Sequence, residues 1–170
     1  MTRAVITPAT SAEDLAAVRA LCWDYHSFLL HNSDVDHDIT QAFYPAAKYE
    51  ALMQALPQEH ARPQGIILLA KLDDMPVGCG MIHAIDDQTS EIKRVFVSDT
   101  ARGKGIAAQL CTALMDQARA DGYGHLVLDT SITLTGAQRL YTKLGFTPRG
   151  PYQPVPEEML PHLLFYETSL

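Results

Sequence analysis

Cysteine is scarce and poorly spaced for chemistry. Cys22, Cys79 and Cys111 are all there are. An odd number of distant cysteines without a C-x-x-C pair excludes a disulfide framework or zinc ribbon and predicts buried apolar thiols. Basic residues are outnumbered, 13 Lys and Arg against 20 Asp and Glu, for a net charge of −7. General affinity for nucleic acid or an anionic membrane needs the opposite balance, so neither is an expected partner. Long apolar runs are missing: Ile66–Ala70 falls far short of the roughly 20 residues of a membrane span. The opening MTRAVITPATSAEDL lacks the apolar stretch of a secretory signal, which predicts a cytoplasmic protein. Repeats, low-complexity tracts and linkers are absent too. Residues 1–170 are therefore expected to form one domain with a full core.

What is present is a change of period along the chain. Leu15, Val18, Leu21 and Cys22 repeat at helical spacing behind Ser11, and Ser11 with Asp14 fits a capping box. The polar stretch His31–Asp38 reads as a loop. A second helix is expected near Ala46–Leu56, stopping before Pro57. Before the first helix, Ala4–Thr7 is a strand candidate. After the second, GIILLAKL, PVGCGMIHAI and EIKRVFV read as strands joined by the turns DDMP and DDQTS. A helix follows from Gly103 to Asp121-Gly122, then the strand HLVLD. A helix over Thr135–Leu144, closed by Gly145, comes next. A proline-rich loop leads to a last strand, LLFYETSL. Hairpins followed by a β-α-β crossover predict an α/β domain with a mixed sheet.

The stretch TARGKGIAAQL, Thr100–Leu110, asks for a ligand. A helix start leaves backbone N–H groups unpaired and carries partial positive charge, and glycine lets an anion approach the chain closely. The segment from Glu91 to Lys104 carries +2, leaving −9 on the rest. A basic island in an acidic chain suits a phosphate. No G-x-x-x-x-G-K-[ST] occurs, which excludes a triphosphate P-loop. Gly103–Ala108 does match the dinucleotide pattern G-x-G-x-x-A, with Asp129 where a ribose-binding acid would stand. Two features weigh against that. Five residues separate the strand from Gly103, and only 41 follow Asp129, too few for a doubly wound sheet.

Two runs of residues resemble the GNAT superfamily of acetyl-CoA-dependent N-acetyltransferases. Its Q/R-x-x-G-x-G/A loop is similar to Arg102-Gly-Lys-Gly105-Ile-Ala107. Its A-x-x-L-Y-x-x-x-G-F run is similar to Ala137-Gln-Arg-Leu140-Tyr141-Thr-Lys-Leu-Gly145-Phe146. The resemblance implies a mostly antiparallel mixed sheet with helices on both faces and a β-α-β acetyl-CoA-binding core. It implies that Arg102 and the amides of Gly103, Lys104, Gly105, Ile106, Ala107 and Ala108 hold the coenzyme A pyrophosphate. Val95, Phe96 and Val97 would pair with the pantetheine arm where their strand splays from HLVLD, with Tyr141 and Lys143 also on the cofactor. One departure is visible: many members have Asn where this chain has Leu134, so Thr133, Thr135 or backbone must substitute. The family needs no metal, and the His and Asp residues of His31–Asp38 lack ligand spacing.

Acetyl transfer to an amine requires that an ammonium of pKa near ~10 lose its proton. An oxyanion must then be held and a thiolate protonated as it leaves. Backbone N–H groups of the VFV strand suit the oxyanion. The resemblance gives the last task to Tyr141, a phenol that stays protonated at neutral pH. Glu91 lies eleven residues before Arg102, where some members carry a catalytic glutamate; it is the candidate base. His83 could share that duty by its pKa, while His83 and His125 otherwise read as packed in strands. Residues 1–60 carry −5, and the resemblance implies that the segment holding Asp34, Asp36 and Asp38 borders the acceptor groove together with the proline-rich loop. The acetyl acceptor is accordingly expected to be a small cationic amine, an amino acid-like metabolite or a basic protein or peptide. A non-catalytic acetyl-CoA-binding module and a transferase of longer acyl groups are the alternatives, and the last strand could pair at its edge across a homodimer.

Overall fold

In the computed structural model, which describes residues 3–170, one seven-stranded sheet runs through the molecule. Its strands are β1 (Val5–Pro8), β2 (Gly65–Leu72), β3 (Met75–Ala84), β4 (Thr89–Val97), β5 (His125–Ser131), β6 (Thr147–Arg149) and β7 (Leu163–Ser169). They lie in the order β1-β2-β3-β4-β5-β7-β6. Every neighbouring pair is antiparallel except β4 with β5. The helices are α1 (Ala12–Asn32), α2 (Asp34–Phe43), α3 (Ala46–Glu59), α4 (Ile106–Ala120) and α5 (Thr135–Lys143).

The unbroken apolar run of β2 reflects burial on both faces. Ile66, Leu68 and Ala70 pack with Leu110, Leu114 and Ala118 of α4 on one side. Ile67 and Leu69 pack with Val18, Leu21 and Cys22 of α1 and Met53 and Leu56 of α3 on the other. Each face is the period-2 alternation of a strand meeting the period-3.6 stripe of a helix. Leu114 is fully buried, and its truncation to Ala would cost about 2–5 kcal/mol. The hairpin β2–β3 turns through Asp73 and Asp74, both at positive φ (49° and 64°), the twist a two-residue loop requires. All three cysteines are free and buried.

Three expectations are corrected. His31–Asp38 is not a loop: Ser33 caps α2 with its hydroxyl, accepting from the Asp36 N–H at 3.0 Å, and Asp34 and Asp36 sit in the first turn. Acidic residues there complement the helix dipole. α3 runs past Pro57 to Glu59. The last strand is not an edge, because β7 lies between β5 and β6, and its middle, Phe165–Glu167, is paired on both sides. The edges are β1 and β6, short strands carrying Pro8 and Pro148, residues that discourage strand addition.

Candidate active site

The single parallel pair creates the site. β4 and β5 are in register only over Thr89–Glu91 and His125–Val127, and beyond that they part. On its other edge β4 keeps pairing with β3 through a bulge, where Arg94 adopts φ 53°. The gap opens into a cavity of about 460 Å³. Its walls are Glu91–Val97, Leu128–Ser131 and the α5 residues Ala137, Leu140 and Tyr141, with Tyr25 and Phe28 of α1 and Asp36 of α2 above.

At one end the chain leaves β4, makes a short turn over Asp99–Ala101, and enters α4 through Gly103 and Gly105 at φ 76° and 75°. Gly105 is the N-cap, and no side chain caps the helix. A Cβ at either glycine would meet nothing within 4 Å. The protein therefore leaves that space free for an anion against bare amides. Arg102 is tied down: its guanidinium is 2.6 Å from Asp99, its Nε donates to the Val97 carbonyl, and it lies over the Phe28 ring at 4.8 Å. Ile106 points into the core, so only its backbone is available. Lys104 is exposed, Ala108 is half-buried, and Arg102 and Ala107 are the loop's contributions to the cavity wall. Lys143 is exposed at the end of α5 and does not border the cavity.

At the other end is a carboxylate cluster. Glu91 is buried; one oxygen is 2.7 Å from His83 Nε2 and 3.6 Å from Lys93 Nζ. Its other oxygen accepts from the Tyr152 hydroxyl at 2.5 Å, and that hydroxyl is 3.4 Å from Asp129 Oδ2. Burial pushes the Glu91 carboxyl up, but His83, Lys93 and Tyr152 outweigh it and hold the group below its usual range. Asp129 behaves oppositely. Asp129 is exposed where it borders the open cavity, and desolvation by the protein around it plus nearby Glu91 raise it despite Lys93. Tyr152 stands in the proline-rich segment, 61 residues from Glu91, and nothing local in the sequence marks it. Asp129 was visible only as part of the dinucleotide pattern. His83 is bound to Glu91 but lies outside the cavity wall, and His125 is exposed where packing was expected.

Tyr141 lines the same cavity, 8% exposed, and burial raises its hydroxyl well above 10. Leu134 lines it as well. Thr133 is committed elsewhere, donating to Asp36 Oδ2 at 2.5 Å, and Thr135 does not border the cavity. Asp36 is 1% exposed and its Oδ1 has no hydrogen-bond partner. Burial raises its carboxyl, but the hydrogen bonds from Asn32 and Thr133 and the nearby hydroxyls of Ser131 and Ser33 overcome that and hold it below its usual range. Asp34 and Asp38 are exposed on α2 and do not border the cavity. Among the described residues, no three His, Cys, Asp or Glu gather to hold a metal.

A split parallel pair, a glycine-lined helix start below it and a buried tyrosine beside it define an acyl-coenzyme A transferase fold. The model of the Acetyltransferase (GNAT) family matches residues 33–146, and the chain belongs to that family. It is 39% identical over 130 residues to an IAA acetyltransferase of Azospirillum brasilense, covering 75% of this chain and 80% of that one. It is 34% identical over 100 residues to the N-acetylaspartate synthetase of Rattus norvegicus, covering 58% of this chain but only 33% of the rat protein. An acetyltransferase from Streptococcus agalactiae shares the fold with a TM-score of 0.76 at 18% identity, over 98% of both chains. A GNAT acetyltransferase from Elizabethkingia anophelis, determined with acetyl-CoA bound, has a TM-score of 0.63 at 22% identity, again over 98% of both.

Proposed function

We propose that this chain transfers the acetyl group of acetyl-CoA directly to the amine of a small acceptor bound in the same cavity. One observation carries the reading: a single cavity joins the gap beside Val95–Val97, the Tyr141 hydroxyl end and the carboxylate cluster of Glu91 and Asp129. Acetyl-CoA supplies the acetyl group and departs as the thiol. The free space at Gly103 and Gly105 fits a pyrophosphate against unpaired amides, and the unpaired edge of β4 fits the pantetheine arm. Asp36 Oδ1, buried without a donor, fits a pantetheine amide N–H in the role that Leu134 cannot fill.

The residues divide the proton work. Tyr141 keeps its proton at neutral pH and offers it to the departing sulfur. The acetyl acceptor's ammonium gives its proton to the carboxylate pair bridged by Tyr152. Within that pair Asp129, raised and open to the cavity, is the receiving group. Glu91, held ionised by three partners, is the weaker base and sustains the negative field. Backbone N–H groups of β4 polarise the carbonyl oxygen. No described helix is long and apolar enough to cross a membrane, and we place the reaction in the cytoplasm.

The test is acetyl-CoA turnover with a panel of amines, read as free thiol and confirmed by mass of the acetylated product. Thiol release that depends on the amine supports the reading. Binding of acetyl-CoA without release for any amine would instead mark a non-catalytic module, and faster release from a longer acyl-CoA would redefine the donor.

A further inference from the structure

Three cations line the cavity, and two of them are matched. Lys93 is 3.6 Å from Glu91 and Arg102 is 2.6 Å from Asp99. Arg94 has no carboxylate within 4 Å among the described residues, and apart from the neighbouring Tyr49 hydroxyl its five guanidinium N–H groups have no protein oxygen to donate to. It is half-buried, with its guanidinium carbon 5.9 Å from the ring centres of both Tyr44 and Tyr49. Ring faces hold a guanidinium in place but leave its in-plane donors free. Backbone geometry adds to this. Arg94 is the bulge residue, at φ 53°, a region that costs a non-glycine side chain stability and recurs where a site needs a group aimed.

Resting on the acetyl-transfer reading above, we infer that the acetyl acceptor carries a carboxylate close to its amine and that Arg94 binds it. A planar guanidinium with free paired donors matches a carboxylate with two parallel hydrogen bonds, which a lysine at this position could not supply. The tyrosine ledge under it and the Tyr25–Phe96 stack at 5.3 Å provide an apolar wall for a side chain. The amine of such a molecule faces the other charge of the cavity, Asp129 and Glu91. Amino acids and related amino acids with a short spacer have this arrangement. Simple cationic amines without a carboxylate do not, and Asp34 and Asp38, two of the three aspartates that suggested a cationic acceptor, are exposed and do not border the cavity.

The experiment compares acids with the same skeleton lacking the carboxylate: phenylalanine with phenethylamine, leucine with isopentylamine, each by kcat/KM for thiol release. The wild-type protein should favour the acid by on the order of tenfold or more, the scale of hydrogen bonds to a charged group. Arg94→Gln should bring that ratio near one, mainly through KM of the acid, and Arg94→Lys should fall between. Phenylpropionate, which has no amine, should compete with phenethylamine in the wild-type protein. These two wild-type measurements stand even where a variant does not fold. Equal or better turnover of the decarboxylated amines, or a preference that survives in folded Arg94→Gln, overturns this inference while acetyl transfer stands. Absence of thiol release with every acceptor overturns the acetyl-transfer reading itself, and the inference falls with it.

Discussion

At the residue scale the two ends of the cavity hold protons with opposite tenacity. Burial keeps the Tyr141 phenol protonated beyond its ordinary value of 10, so no alkaline limb below about pH 10 should come from it. Tyr141→Phe should lower kcat by on the order of 10²-fold with little change in acetyl-CoA affinity, because the hydroxyl is used only as sulfur departs. Stopped-flow turnover with a parallel binding titration checks it; a variant as fast as wild type would leave Tyr141 a packing residue. His60 sets a different limit. It is 4% exposed, its Nδ1 lies 2.9 Å from the Ile82 carbonyl, and desolvation lowers it from 6.5 to about 4. The folded state therefore binds this proton less readily than the unfolded chain. Its contribution is present above the unfolded value and lost as pH falls from about 6.5 towards 4, in total about 3 kcal/mol. Urea unfolding at a series of pH values should show that slope, and His60→Gln should flatten it. Glu91 and Asp36, held below their usual values, lose their share only in more acid solution.

Among the elements, α4 begins and ends at glycines with the same backbone demand. Gly105 (φ 75°) and Gly122 (φ 90°) both have open space where a Cβ would go, so Ala at either costs stability through strain alone, about 1 kcal/mol. Only Gly105 faces the expected pyrophosphate. Gly105→Ala should weaken acetyl-CoA binding by about tenfold or more, while Gly122→Ala should match its loss of thermal stability and leave affinity intact. Calorimetric titration of both separates backbone strain from ligand approach; equal affinities would remove the phosphate from this loop. Elements whose signals are local were legible in the sequence: the capped α1, the hairpins, the glycine entry of α4, and the motif around Tyr141. The α2 helix was not, since four aspartate and histidine residues in its first turns conceal an apolar face that exists only against its neighbours. β6, three residues with a proline in the middle, has no signal of its own and is a strand because β7 pairs with it.

For the molecule as a whole, what the sequence hid follows one rule: the site is assembled across long separations. Tyr152 reaches Glu91 over 61 residues and Thr133 reaches Asp36 over 97. Arg94 becomes a cavity residue only because the register of β3 and β4 slips at the bulge. The motifs, by contrast, are contiguous, and they carried the family and the proposed donor end of the cavity. The same architecture divides the sheet. β1–β4 and β5–β7–β6 are joined through only three residue pairs of β4 and β5, and most of the β4 edge beyond them has no strand beside it. Ser98 donates to the Val77 carbonyl at 2.8 Å across β3, and strand alternation then turns the Val97 N–H towards the gap. An amide so placed trades its hydrogen for solvent deuterium without waiting for the sheet to open, though it belongs to a central strand. Deuterium uptake over Val95–Val97 should therefore be fast in the free protein and slow sharply with acetyl-CoA, far more than over Ile66–Leu69. Equal slowing of both segments would mean that ligand only stabilises the fold globally. A middle strand that ages in heavy water like an outer one would be the label of a sheet left unfinished until its substrate completes it.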